Sequence, residues 1–247
     1  MNQHILPIAT FTASILFALP ASSAAIYATD VEGTWTATTP QYPNVTGVGT
    51  STIKWGTPTY YGYQSGYSFE GYAPPSFQIE EGSLFGLGKL THFNYPITGS
   101  SLETASLLVS ITLTIEGFEK TIESVFDFEH WETVNHPQNG LCPNGGYSGY
   151  GINYYGCADR VTFARNAGAS EEYVIGNTAY YLDIAGFFYN NELATEFWTK
   201  EKRANHALLG GILKSRTIQV PEPSTLALMG LALLGLGARR QFSLRRS

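Results

Sequence analysis

The strongest pattern in the chain is an alternation within residues 102–115, where Ala105, Leu107, Val109, Ile111, Leu113 and Ile115 occupy every second position. Side chains two residues apart share one face of an extended strand, so this spacing predicts a strand with one side in a core. Gly117-Phe118 predicts a turn, and residues 120–128 then pair back with Ile122, Phe126 and Phe128 inward. Weaker versions recur along the chain. Residues 33–39 alternate small polar side chains with Trp35 and Ala37, and residues 51–55 place Ile53 and Trp55 together. Residues 56–72, rich in Gly, Tyr and Ser, read as a hairpin with aromatic cross-strand packing. Further strands are expected at 77–80, 160–163, 172–175, 179–187 and 208–218, the last interrupted by Gly210-Gly211. Gly176-Asn177 suits a tight hairpin turn. Residues 192–207 are polar and read as a loop or a short helical turn, and residues 135–156 form a long loop. Short strands separated by turn residues, without an amphipathic helix, predict an all-β fold. The expected architecture is a single β-sandwich of the jelly-roll or lectin-like kind, with strand order open.

Both ends depart from this pattern. Residues 5–19 are apolar, bracketed by Pro7 and Pro20, and lead into Ala21-Ser22-Ser23-Ala24-Ala25. That is the arrangement of a secretory signal peptide, here residues 1–25, although no Lys or Arg precedes the apolar stretch. At the other end Pro221-Glu222-Pro223 is followed by an apolar run, residues 226–238, and then by Arg239, Arg240, Arg245 and Arg246. As a helix the run reaches only ~20 Å at ~1.5 Å per residue. A bilayer core of ~30 Å needs about 20 apolar residues. The arginines would hold that end in the cytoplasm. A short span with a polar motif outside it is built like a processing signal.

Motif, helix and arginines in this order resemble the PEP-CTERM sorting signal of Gram-negative bacteria. The resemblance implies an exosortase that recognises Pro221-Glu222-Pro223, cleaves there and removes the helix. Three segments are therefore expected: a signal peptide (1–25), a β-sandwich ectodomain (26–219) and a sorting signal (220–247). The expected route is transient inner-membrane insertion through the C-terminal transmembrane helix, followed by release to the cell surface, extracellular matrix or medium.

Charge and cysteine usage fit an exported protein. The tail holds four of the fourteen Lys and Arg and one of the twenty acidic residues, so net charge falls from −6 to −9 in the body. Such a surface repels the nucleic-acid backbone, which excludes nucleic acid as the expected partner. Cys142 and Cys157 are the only cysteines. One pair in an exported chain predicts a disulfide across the long loop. A metal site there would need two or more further ligands, for which His130 and His136 are available.

Thr91-His92-Phe93-Asn94-Tyr95-Pro96-Ile97, together with Ile53-Lys54-Trp55-Gly56-Thr57-Pro58, Gln64-Ser65-Gly66-Tyr67-Ser68-Phe69, Gly156-Cys157-Ala158-Asp159 and Tyr181-Leu182-Asp183-Ile184-Ala185-Gly186-Phe187, resembles the THxN family of PEP-CTERM proteins and the related choice-of-anchor K domains. The match runs through residues 33–218. It implies an exported β-domain joined to alternative surface anchors, and it assigns no catalytic residue.

In an extended chain Thr91-His92-Phe93-Asn94 points His92 and Asn94 to one face and Thr91 and Phe93 to the other. His92 and Asn94 side by side can tie a loop to the sheet through hydrogen bonds, or meet a sugar hydroxyl or a metal. Neither a G-x-S-x-G elbow nor H-E-x-x-H is present. Glu80-Glu81, Glu129 with Glu132, and Glu171-Glu172 are acidic pairs by sequence only. Asp127, Glu129 and Glu132, with Asp159, are the candidate oxygen ligands for calcium, without EF-hand spacing. No other cofactor is expected. The expectation is a non-enzymatic surface protein of structural or adhesive role that binds exopolysaccharide weakly through Tyr-rich loops at 60–72 and 147–155. The alternatives are a polysaccharide-active enzyme, which needs two carboxylates about 5–10 Å apart in a cleft, and a calcium-stabilised adhesion module.

Overall fold

In the computed structural model the alternating stretch is strand β8 (Thr104–Ile115), and its six aligned apolar side chains are buried. Burying each large one contributes roughly 1.5–3 kcal/mol relative to exposure. The structure describes residues 25–40, 45–164, 170–189 and 192–218. The expected signal peptide up to residue 24, the Pro221-Glu222-Pro223 motif, the apolar run and the arginine tail lie outside the described residues. Among the described residues no helix is long and apolar enough to cross a membrane.

β8 pairs with β9 (Phe118–Trp131) through a turn at Glu116-Gly117, both with positive φ (53° and 82°). The turn sits one residue before the expected one, because a two-residue hairpin loop of this hand needs two left-handed residues in a row. On its other side β8 pairs with β1 (Ile26–Thr39), which pairs with β5 (Phe77–Ile79). β1 carries a register shift between Trp35 and Ala37. The bulge turns Thr38 inward and leaves Ala37 exposed, so simple alternation beyond Trp35 fails.

The second sheet is built from β2 (Val45–Thr46), β3 (Thr52–Tyr60), β4 (Tyr63–Gly71), β6 (Leu84–Asn94), β11 (Tyr173–Ile175), β12 (Thr178–Tyr189) and β15 (Arg203–Thr217), in the order β11-β12-β15-β6-β4-β3-β2. β7 (Ile97–Thr98) pairs with β3 and β13 (Glu192–Ala194) with β12. The first sheet is completed beyond β9 by β10 (Asp159–Ala164) and β14 (Glu196–Thr199), giving the order β14-β10-β9-β8-β1-β5. Neighbouring strands run antiparallel, and rings from the two sheets meet between them: Trp35 with Tyr67 at 5.4 Å and Phe128 with Phe187 at 5.8 Å. The fold is an all-β sandwich.

Residues 192–207 are a correction to the sequence reading. They form β13, β14 and the start of β15. β14 covers the outer edge of β10, with Phe197 and Thr199 inward. An alternation two residues deep gives little sequence signal, and the charges of Lys200-Glu201-Lys202-Arg203 hide it. Because β14 lies in one sheet and β15 in the other, this charged turn crosses between the sheets. Asn205 closes it, accepting from the Lys200 N–H at 2.8 Å and donating to the Lys200 carbonyl at 2.9 Å.

The long loop between β9 and β10 is tied by the expected Cys142–Cys157 disulfide, with Cα atoms 5.3 Å apart. Within it the amides of Asn144 and Asn153 pair reciprocally at 2.9 Å, and Asn153 Oδ1 also accepts from the Ala158 N–H.

Candidate functional site

The Thr91-His92-x-Asn94 motif ends β6, and the alternation of the strand sends His92 and Asn94 into the interior, both fully buried. Thr91 is buried on the other side, where its hydroxyl meets His206 Nδ1 at 3.0 Å, and Phe93 is half-buried. The inward pair ties β6 to β14 of the other sheet. Asn94 Nδ2 donates to the Thr199 carbonyl at 3.1 Å and to Thr199 Oγ1 at 3.3 Å, and His92 Nδ1 lies 2.9 Å from the same Oγ1.

The tautomer of His92 is assigned from the bonds of Thr199. Its single hydroxyl proton goes to the Asp159 carbonyl at 3.2 Å, so towards His92 the oxygen accepts. His92 therefore donates from Nδ1 and carries a bare lone pair on Nε2. That nitrogen is buried and has no partner among the described residues. Burial, reinforced by neighbouring His130, lowers the His92 pKa well below the usual imidazole value, so the ring is neutral.

His130 enters from the other sheet. It follows Phe126 and Phe128 at the next inward position of β9. Its Nδ1 lies 2.7 Å from the Tyr67 hydroxyl, and its Nε2 faces Glu132 Oε2 at 3.4 Å. Tyr67 is fully buried, and its phenol is pushed well up by desolvation and by the charges of Asp159 and Glu132, so it keeps its proton. Trp55 closes the box: its ring centroid is 5.8 Å from His92 and 5.2 Å from His130, and the two imidazoles are 5.1 Å apart.

Three carboxylates meet these rings. Asp159 opens β10, Glu132 follows β9, and Glu201 sits in the turn between β14 and β15. A ring nitrogen of each of His92 and His130 and an oxygen of Asp159 lie within 4.8 Å of one another, as do oxygens of Glu132, Asp159 and Glu201. Asp159 belongs to both sets. Its Oδ1 accepts the Thr133 N–H at 2.7 Å, while Oδ2 is buried without a partner among the described residues. Burial and the charges of Glu132 and Glu201 raise its pKa well above the usual carboxylate range. Glu201 is fully buried, and neither of its oxygens makes a hydrogen bond of normal geometry among the described residues. Burial and Glu132 push its pKa up to about 7, against smaller lowering effects from the Asn135 amide and Lys202. Asn135 reaches in only because residue 156 is glycine: at φ +141° a Cβ there would lie 2.1 Å from Asn135 Oδ1.

The calcium set read from the sequence is not assembled. Asp127 and Glu129 alternate to the opposite face of β9, where Asp127 accepts from Ser106 Oγ at 2.7 Å and Glu129 from Thr162 Oγ1 at 3.3 Å. Of the four residues, Glu132 and Asp159 reach the cluster. His136 stays in the loop with its Nδ1 3.5 Å from Ser148 Oγ, and both cysteines are taken up in the disulfide, which leaves no thiolate for a metal site there. Glu172 makes a bidentate pair with Arg216. Glu201, Tyr67 and Thr199 escaped the sequence reading. Glu201 looks like one charge in a solvated run, and only the crossing of the turn between sheets buries it.

A second feature lies on the surface. Tyr60, Tyr61 and Tyr63 surround the β3–β4 turn, and Tyr63 stacks on Tyr95 with ring centroids 4.9 Å apart. Tyr154 and Tyr155 pack edge to face in the disulfide loop. Lys202 joins the two groups, its Nζ 5.0 Å from the Tyr60 centroid and 5.7 Å from that of Tyr155. Tyr61 and Tyr154 are 85% and 63% exposed. Tyr67, from the same Tyr-rich stretch, belongs to the core.

Comparison with known proteins gives one family match, over residues 219–241, to the PEP-CTERM protein-sorting motif. No curated protein matches the chain. The match covers the Pro221-Glu222-Pro223 motif and the apolar run, and it identifies the C-terminal segment as a sorting signal of the kind processed by exosortase, which indicates export and sorting to the cell surface.

Proposed function

We propose that the protein is a non-enzymatic component of the cell surface or exopolysaccharide matrix, structural or adhesive in role, that holds glycan weakly through its tyrosine surface. The observation that carries this reading is the junction at Lys202, which makes one exposed platform of tyrosines from two distant parts of the chain. Tyrosine faces stack on sugar rings and their hydroxyls hydrogen-bond. The body is read as a THxN-type domain related to choice-of-anchor K proteins, released from the membrane after exosortase cleavage at Pro221-Glu222-Pro223. The buried position of Asp159 and Glu201 argues against the polysaccharide-hydrolase reading, because a glycosidase needs its carboxylates open to the sugar. The test is calorimetric titration of the disulfide-bonded protein with exopolysaccharide from the producing host, with product analysis alongside. Binding that weakens in Tyr61→Ala and Tyr154→Ala, with the polymer intact, is expected. Shortened polysaccharide chains, or affinity unchanged in both variants, would overturn the reading.

A further inference from the structure

We propose that the buried cluster is a binding site for one divalent first-row transition cation, with zinc as the type, held by His92 Nε2, His130 Nε2 and Asp159 Oδ2 and completed by Glu201 and Glu132. This goes beyond the glycan reading and does not depend on it.

Four observations converge. The first is the unpartnered atoms. His92 Nε2 and Asp159 Oδ2 are buried and without partners among the described residues, and the two buried Glu201 oxygens have only the weak approach of the Asn135 amide and Lys202; the Trp55 N–H in the same box is unpartnered too. Lone orphans of this kind are rare in folded proteins, and several around one point indicate a missing ligand. The second is charge. Three carboxylates within 4.8 Å of one another, two of them fully buried, repel strongly unless protons or a cation compensate them.

The third is the way the imidazoles are held. Each ring has a hydroxyl on Nδ1, Thr199 for His92 and Tyr67 for His130, so Nε2 is the nitrogen left unpartnered in His92 and the one beside Glu132 in His130. A second group fixed on the far ring nitrogen is the usual support of a metal-binding histidine. When a cation takes His130 Nε2, the ring proton sits on Nδ1, where the Tyr67 oxygen accepts it and the phenol proton rotates off that contact. The fourth is donor type. Calcium and magnesium select oxygen ligands, whereas imidazole with carboxylate selects zinc and its neighbours.

The ligands come from β6 in one sheet, from β9 and β10 in the other, and from the turn that crosses between them. A bound cation would therefore lock the two sheets together at this end.

The test starts with elemental analysis of the disulfide-bonded protein purified from its exporting host without chelator, where about one transition dication per chain is expected. Zinc is then titrated calorimetrically into chelator-treated protein, and melting temperature is followed with and without zinc. Zinc should raise the melting temperature of the wild type. Thr199→Val, which removes the support of His92 but no ligand, should weaken zinc about 10–100-fold. His92→Gln and Asp159→Asn should weaken it further, with folding checked by circular dichroism. If either fails to fold, Thr199→Val and the wild-type melting shift decide the matter. A folded wild type that neither carries nor takes up zinc would overturn the proposal and leave Asp159 and Glu201 as buried protonated acids. Folded His92→Gln and Asp159→Asn proteins with unchanged affinity would overturn it too, and a preference for calcium over zinc would overturn the ion class.

Discussion

His92 and Thr199 lie 107 residues apart in sequence and 2.9 Å apart in space, and their contact joins the two sheets of the sandwich. Thr199 Oγ1 accepts from both His92 and Asn94 and donates to the Asp159 carbonyl, so one hydroxyl organises three buried polar groups. Thr199→Val keeps the shape of the side chain and removes all three bonds. The metal-free variant is expected to lose about 2–3 kcal/mol in urea unfolding, since a buried donor left unpaired costs about 1–3 kcal/mol. A loss below ~0.5 kcal/mol would mean that water takes over the site.

The Glu201 carboxyl gives the metal-free protein a pH dependence of definite sign. It is raised from its ordinary 4.5 to about 7 by burial and by Glu132, with Asp159 also facing the cluster and Lys202 and the Asn135 amide opposing. Between these values the unfolded chain releases a proton that the fold retains, so the Glu201 contribution to stability falls as pH rises from about 4.5 through 7. Relative to wild type, Glu201→Gln should gain about 2–3 kcal/mol between pH 5 and pH 8, measured by denaturant unfolding in chelator. His92 acts on the acid side. Its pKa is lowered, so stability is lost as pH falls below the ordinary imidazole value near 6.5, where the unfolded ring takes a proton that the folded one refuses. A difference between Glu201→Gln and wild type that stays flat across this range would contradict the buried acid.

Breaking the disulfide acts through the unfolded chain. Cys142 and Cys157 close a loop with a sequence separation of 15. The paired variant Cys142→Ser, Cys157→Ser should lose ~3 kcal/mol in unfolding measurements, by the entropy of loop closure. The loss should be larger for the order of Tyr154 and Tyr155, which stand inside that loop, than for the β8–β9 hairpin. Hydrogen exchange measured along the chain resolves the two.

Processing at the sorting signal is read by intact mass on protein from the producing host, separated into membrane, matrix and medium fractions. A chain ending near Pro221–Pro223 is the expected product outside the membrane fraction. Protein that retains residues 226–247 in every fraction would leave a permanently tethered domain instead.

Much of the sandwich was legible because its central strands alternate cleanly. β8 and the inward residues Ile122, Phe126 and Phe128 follow from period two alone. What escaped was set by contacts distant in sequence. Thr38 replaces Ala37 in the core because of a bulge against β8, and β14 forms because β10 offers it an open edge. The same limit applied to the site. His92 and Asn94 could be placed on one face, and Asp159 could be suspected, but Asp127 and Glu129 sit at odd positions of a strand whose even positions face the core. His130 occupied the correct parity and was read for its proximity to the cysteines instead. Glu201 had no local signal, since only the crossing of a charged turn from one sheet to the other carries it inside.

The path of β15 has a spatial consequence. The strand begins at Arg203, next to the lysine that bridges the tyrosines, and ends at Thr217, two residues before the matched sorting motif. At ~3.3 Å per residue the strand is roughly 45 Å long. The tyrosine face and the approach to the sorting signal thus sit at opposite ends of one strand, so the sandwich itself separates them by about the length of β15.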